Sequence, residues 1–235
     1  MYFDPMYFVF MIPALILVFW AQSKVKGAYS KYRQVPNSAG ATGAQAARAI
    51  LDANGLQQVT IEQTPGELSD HYDPRTKVLR LSPEVYSGRS IASIGIAAHE
   101  SGHAIQDKQR YKAMEVRSKL VPVANIGSTL GMIMLIAGIL LSFTGLAWAG
   151  VALFAMTTVF ALVTLPVEFD ASKRAKVALV NVGIINDTTP AGQSDSAGVK
   201  KMLDAAAWTY VAGFLASLLN LLYYVSLLSG GRRSN

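Results

Sequence analysis

Ser90-Ile91-Ala92-Ser93-Ile94-Gly95-Ile96-Ala97-Ala98-His99-Glu100-Ser101-Gly102-His103-Ala104-Ile105-Gln106 is the stretch on which the reading of this chain turns. Its first half is apolar and free of proline, which predicts a buried helix. On a helix, residues four apart lie one above the other on a single face, roughly 6 Å apart. His99 and His103 can therefore both present a ring nitrogen to one Zn2+ at about 2.0–2.1 Å. Glu100 lies about 100° round the helix from His99, where its carboxylate reaches a metal-bound water and not the metal. A carboxylate so placed can take the water's proton and pass it to a leaving amine. Gly102 is a poor helix former, but it keeps the space beside His103 open for a close neighbour. The chain holds three histidines, and two of them are here.

A catalytic zinc site usually has three protein ligands and one open position. Asp107 sits two turns from His99, about 12 Å along the axis, so one ion cannot touch both side chains. Glu115 lies roughly 18 Å beyond His103 on a continuing helix and fails more badly. The metzincin pattern needs a third histidine where this chain has Gln109. Glu168 is the best remaining carboxylate. On a helix it shares a face with Ala171 and Ser172, two small residues that allow close approach to the zinc helix. Asp170 points roughly 200° away from Glu168 and is expected to pair with Arg174 at i, i+4, without a catalytic role.

The rest of the composition points to a membrane. Hydrophobic residues make up 51% of the 235 and charged residues 15%, and cysteine is absent, which excludes disulfides and thiolate chemistry. Residues 5–21, 120–143, 146–167 and 206–229 are apolar and uncharged, each about the length that crosses a bilayer. The first is read as an anchor: Met1-Tyr2-Phe3-Asp4 is no basic leader, and Lys24, Lys26, Lys31 and Arg33 follow. Fourteen of the twenty-one Lys and Arg fall in residues 22–119 and five in 168–205, with only Arg232 and Arg233 beyond the last span. By the positive-inside rule the two long polar segments face the cytoplasm. Topology thus accounts for the net charge of +6, which carries no nucleic-acid inference.

Between the spans, Lys24–Pro36 is a basic interfacial segment, and residues 37–55 predict an amphipathic helix capped by Ser38 or Thr42 and stopped at Gly55. Residues 59–63, 70–72 and 77–81 read as short strands, the last two joined by an Asp73-Pro74-Arg75-Thr76 turn. An edge strand of such a sheet, beside the zinc helix, either holds an extended peptide or simply packs. Ser82-Pro83-Glu84 starts a helix, Pro122 kinks the second span, and Thr188–Gly198 reads as a flexible loop before a last helix from about Val199.

At His99–His103 and Glu168–Ser172 the sequence resembles the gluzincin metallopeptidases, and over most of its length a membrane-bound bacterial family of neutral zinc metallopeptidases. It is also similar to the HtpX/Ste24 type of membrane peptidase, whose Glu-x-x-Ala-Asp pattern aligns with Glu168, Ala171 and Ser172. The resemblance implies one multi-pass domain over residues 1–235 in the bacterial cell membrane, with its active site at the cytoplasm. The resemblance does not supply a substrate; a protein or peptide, membrane proteins among them, is the expected substrate class. The expected fold is a mainly α integral membrane protein. Four transmembrane helices carry a cytoplasmic α+β zincin-like catalytic unit with a small β-hairpin or sheet. The expected chemistry is zinc-dependent endopeptidase hydrolysis, with His99, His103 and Glu168 holding Zn2+ and Glu100 as catalytic base. His71, Tyr72 and Arg174 are candidates to stabilise the oxyanion. An intramembrane protease fits less well, because Asp107, Lys108 and Arg110 follow the second histidine closely. A non-catalytic membrane scaffold or adaptor retaining a zinc site is the alternative from another class, and it has no need of Glu100.

Overall fold

The structure is a computed structural model that describes residues 5–230; Met1 to Asp4, the Arg232–Arg233 pair and Asn235 lie outside the described residues. The chain is mainly helical, and it divides into two compact units. One comprises residues 23–114 and 167–208, the other residues up to 22, 115–166 and those from 209 on.

The first unit holds the last turns of α1 (Pro5–Tyr32), then α2 (Gly43–Ala53), β1 (Thr60–Gln63), β2 (His71–Asp73), β3 (Val78–Leu81), α3 (Pro83–Ser87) and α4 (Ile91–Lys108). It also holds the C-terminal part of α6 (Thr144–Asn181) and the N-terminal part of α7 (Pro190–Gly230). Thr42 caps α2: its hydroxyl accepts from Gln45 N, while the Gln45 side chain accepts from Thr42 N. Ala47, Ile50 and Leu51 form the buried face anticipated for that helix, and Gly55 ends it with φ at +65°. The core gathers Ile50, Leu51, Leu79, Leu81, Ile91, Ile94, Val167, Leu179 and Leu203. Burying one such side chain contributes roughly 1.5–3 kcal/mol, so α4 is held chiefly by its apolar first half.

The three strands are ordered β1-β3-β2, β1 parallel to β3 and β2 antiparallel to it. The anticipated hairpin is therefore β2–β3, with Asp73 inside β2 and Lys77 at φ +56° closing the turn. Both β1 and β2 are sheet edges. Ser90 accepts from Ser93 N at the start of α4. Gln109 to Tyr111 break the chain after α4, with Arg110 at φ +50°, so α5 (Lys112–Leu140) is a separate helix.

One expectation is corrected. Residues 190–198 are not a loop: they are the first turns of α7, which begins at Pro190. Thr189 accepts from Gly192 N, and proline follows at the first helical position, where its missing N–H costs nothing. The small residues that suggested flexibility serve close packing. A Cβ at Gly192 would lie 1.9 Å from Asn186 O, and one at Gly198 would lie 3.0 Å from the Ile91 side chain. Asp195, 4% exposed, accepts from both the amide and the hydroxyl of Ser38 at 2.7 Å.

The second unit contains the apolar parts of α1, α5, α6 and α7, and all four helices are long and apolar enough to cross a membrane. Pro122 and Pro166 lie inside α5 and α6. Large side chains such as Ile16, Phe19 and Leu140 are exposed in the isolated chain, as lipid-facing residues would be. α5 and α6 approach backbone to backbone: a Cβ at Gly138 would meet Ala147 N at 2.3 Å, and one at Gly150 would meet Leu135 N at 2.4 Å. Ser217 donates to Thr158 across α6 and α7 at 2.7 Å.

Candidate metal centre

The apolar residues of α4 bury its upstream half, and the next turn carries His99 and His103 on one face. Their rings meet edge to face with centroids 4.8 Å apart. α6 comes against this face because the facing positions are small. A Cβ at Gly102 would stand 2.7 Å from Ala171 O, so only glycine admits the α6 backbone here. That approach delivers Glu168. Its Oε2 lies 3.1 Å from His99 Nε2 and 3.5 Å from His103 Nε2. Ligand atoms of the three residues all fall within 4.8 Å of one another, in a group able to hold a metal ion. His103 and Glu168 are 7% and 2% exposed, and His99 is partly exposed.

The remaining ring nitrogens are held from behind. Ser172 Oγ lies 3.2 Å from His99 Nδ1. Gln106 Oε1 lies 3.0 Å from His103 Nδ1. With both Nδ1 atoms engaged, both Nε2 atoms converge beside a carboxylate, and two imidazoles with one carboxylate form a donor set suited to Zn2+. Burial favours the neutral His103 ring, yet its bond to Glu168 and the nearby charge of Glu100 together hold its pKa above the usual value. A metal that binds there displaces a proton.

Glu100 stands beside this group without joining it. Its Oε2 accepts from Tyr72 N at 3.1 Å, so the edge strand β2 and α4 meet at the carboxylate. Burial pushes the Glu100 carboxyl above the ordinary carboxylate range, with His103 and His99 opposing that rise only in part. Tyr72 also donates its hydroxyl to Asp107 at 2.7 Å, and Lys77 pairs with the same carboxylate. Asp107, rejected as a ligand on spacing, thus tethers the hairpin to α4.

The suggested oxyanion stabilisers are engaged elsewhere. His71 is exposed, with Nδ1 2.8 Å from Ser69 O, and Arg174 pairs with Asp170 and donates to Gln109 at 2.6 Å. The Asp170–Arg174 pair forms as anticipated, but its isolation does not hold. Gln106 Nε2 donates to Asp170 Oδ2 at 2.9 Å as well as to Val167 O at 2.8 Å. The sequence reading passed over Gln106. The available signal was a polar residue three positions past His103 on a helix that is otherwise buried there.

Residues 7–229 match the family model described as "putative neutral zinc metallopeptidase". The chain is also 47% identical, over 98% of its own length and 100% of the relative's, to a Bacillus subtilis (strain 168) protein named "Putative membrane protease YugP". No solved structure matches it.

Proposed function

The chain belongs to the neutral zinc metallopeptidase family, and from that premise we propose a membrane-embedded endopeptidase whose metal is held by His99, His103 and Glu168. The observation that carries this reading is the convergence of three ligand atoms within 4.8 Å, with a second carboxylate, that of Glu100, beside them. Bound Zn2+ supplies Lewis-acid chemistry, lowering the pKa of water and polarising a carbonyl. The chain's own residues do the rest. Glu100, restrained by Tyr72 N–H, accepts the proton of the attacking water and returns it to the leaving amine. Its raised pKa suits both halves of that task better than an ordinary carboxylate would. β2, an edge strand lying against the zinc helix, offers main-chain groups along which an extended peptide can lie.

The basic residues concentrated in 22–119 and 168–205 support a cytoplasmic orientation for this site, and the four long apolar helices support a multi-pass location in the bacterial cell membrane. A metal determination on the purified protein, with cleavage of a casein-type substrate by wild type and Glu100→Gln, tests the function. Zinc in both proteins but turnover only in wild type is expected. Equal turnover would remove Glu100 as the base, and zinc without any turnover would favour the scaffold reading.

A further inference from the structure

Gln106 is fully buried, and both ends of its side-chain amide have partners. Its amide nitrogen faces two groups that can only accept: the Val167 carbonyl at 2.8 Å and the Asp170 carboxylate at 2.9 Å. Arg174 donates to that same carboxylate oxygen. The –NH2 end of Gln106 must therefore face α6, because the flipped amide would set an oxygen against two oxygens. Its carbonyl end is then obliged to face His103 Nδ1, 3.0 Å away. An amide carbonyl accepts and cannot donate, so Nδ1 must carry the proton. In the neutral ring, the form that binds a metal, the lone pair is then on Nε2, the nitrogen that points at Glu168.

We propose that Gln106, itself held by Asp170 and Val167, is a positioning residue that fixes His103 in the one tautomer able to bind the metal. His99 has no equivalent lock, since the Ser172 hydroxyl can donate or accept. Asp170, which faces away from the metal group, thereby acts on it through two hydrogen bonds. The proposal rests on the zinc reading above.

The test uses the full chain in detergent and reads zinc affinity by chelator competition, together with the visible spectrum of the Co2+-substituted protein. Gln106→Leu keeps the volume and removes the acceptor. It should weaken zinc binding by about 10–100-fold and alter the Co2+ spectrum, as loss of a residue that orients a metal-ligating histidine does. Gln106→Glu alone sets two carboxylates together and should also bind weakly. Adding Asp170→Asn removes the clash at residue 170: a carboxylate at 106 accepts from His103, and an amide at 170 donates to it while still accepting from Arg174, which leaves only the Val167 carbonyl unmatched. The double variant should bind zinc more tightly than Gln106→Glu, a partial rescue that a purely volumetric role for Gln106 does not explain. Should Gln106→Leu fail to fold, the single and double exchanges decide alone. Zinc binding by Gln106→Leu within twofold of wild type, or a double variant no tighter than Gln106→Glu, overturns the proposal. His99→Ala separates the two readings. Zinc retained in that variant sinks the metal site itself, whereas zinc lost there but unchanged in Gln106→Leu sinks only the lock.

Discussion

Replacing Gly102 by alanine puts the helix-to-helix approach to a direct test. The added Cβ would lie 2.7 Å from Ala171 O, where ordinary contact begins at 3.4 Å. The obstructing atom is backbone inside a helix, so it cannot swing aside. α4 and α6 must part locally by about 0.7 Å, the shortfall from that ordinary contact, at a cost of about 1–3 kcal/mol for overpacking. Alanine's better helix propensity returns only about 1 kcal/mol. Zinc ligation tolerates about 0.2 Å, so a displacement of that size is felt by Glu168 before it unfolds the chain. Turnover should fall by on the order of 100-fold with a parallel loss of zinc affinity. Gly95→Ala is the matched control in the same helix. There a Cβ meets only Val199 methyls at 3.6 Å, and the variant should be neutral or slightly stabilised. Thermal unfolding, chelator competition and peptide cleavage on both variants give the comparison. Wild-type zinc affinity in Gly102→Ala would refute the claim that glycine is needed for Glu168 to reach the histidines.

The purified protein should carry about one zinc per chain, and metal analysis should find it lost in His99→Ala and in His103→Ala. Glu168→Ala should weaken zinc binding, with cleavage partly restored in excess metal. Thr42→Ala should lower the unfolding free energy by about 1 kcal/mol, measured by denaturant titration, because it dismantles the capping box of α2. A topology reporter inserted at Gly183, whose surroundings are open, should report a cytoplasmic location and one after Asn235 an external one. Opposite signals would move the proposed chemistry to the outer face.

The parts of this architecture that were legible in the sequence are those that rest on local pattern. The apolar run before His99, the Thr42 cap and the uncharged spans each encode their structure within one or two dozen residues. Gly102, Ala171 and Ser172 were readable as well, since small residues on facing helices imply proximity. The bonds of Gln106 to α6 were not, because Val167 and Asp170 lie about sixty positions away and no helical period connects them. The start of α7 misled for a different reason. Gly, Ser and Pro signal a loop on average, but at 190–198 proline occupies the first helical turn and the glycines meet neighbouring groups. The parallel pairing of β1 with β3 likewise depends on a crossover that short strands do not announce.

The donor group is split along the chain, two ligands within one helix and the third 69 residues after His99. During synthesis, at about 5–20 residues per second, that interval lasts roughly 3–14 s. Throughout it, on the reading proposed above, the nascent protein has a histidine pair and a base but no complete metal cage. The carboxylate that would finish the cage arrives on α6, after the two apolar stretches that separate it from His103 have been made. On that reading, a half-made chain does not yet cleave peptides. Competence would then come only once the third span has been translated, so that the order of the ligands along the chain acts as a safety catch.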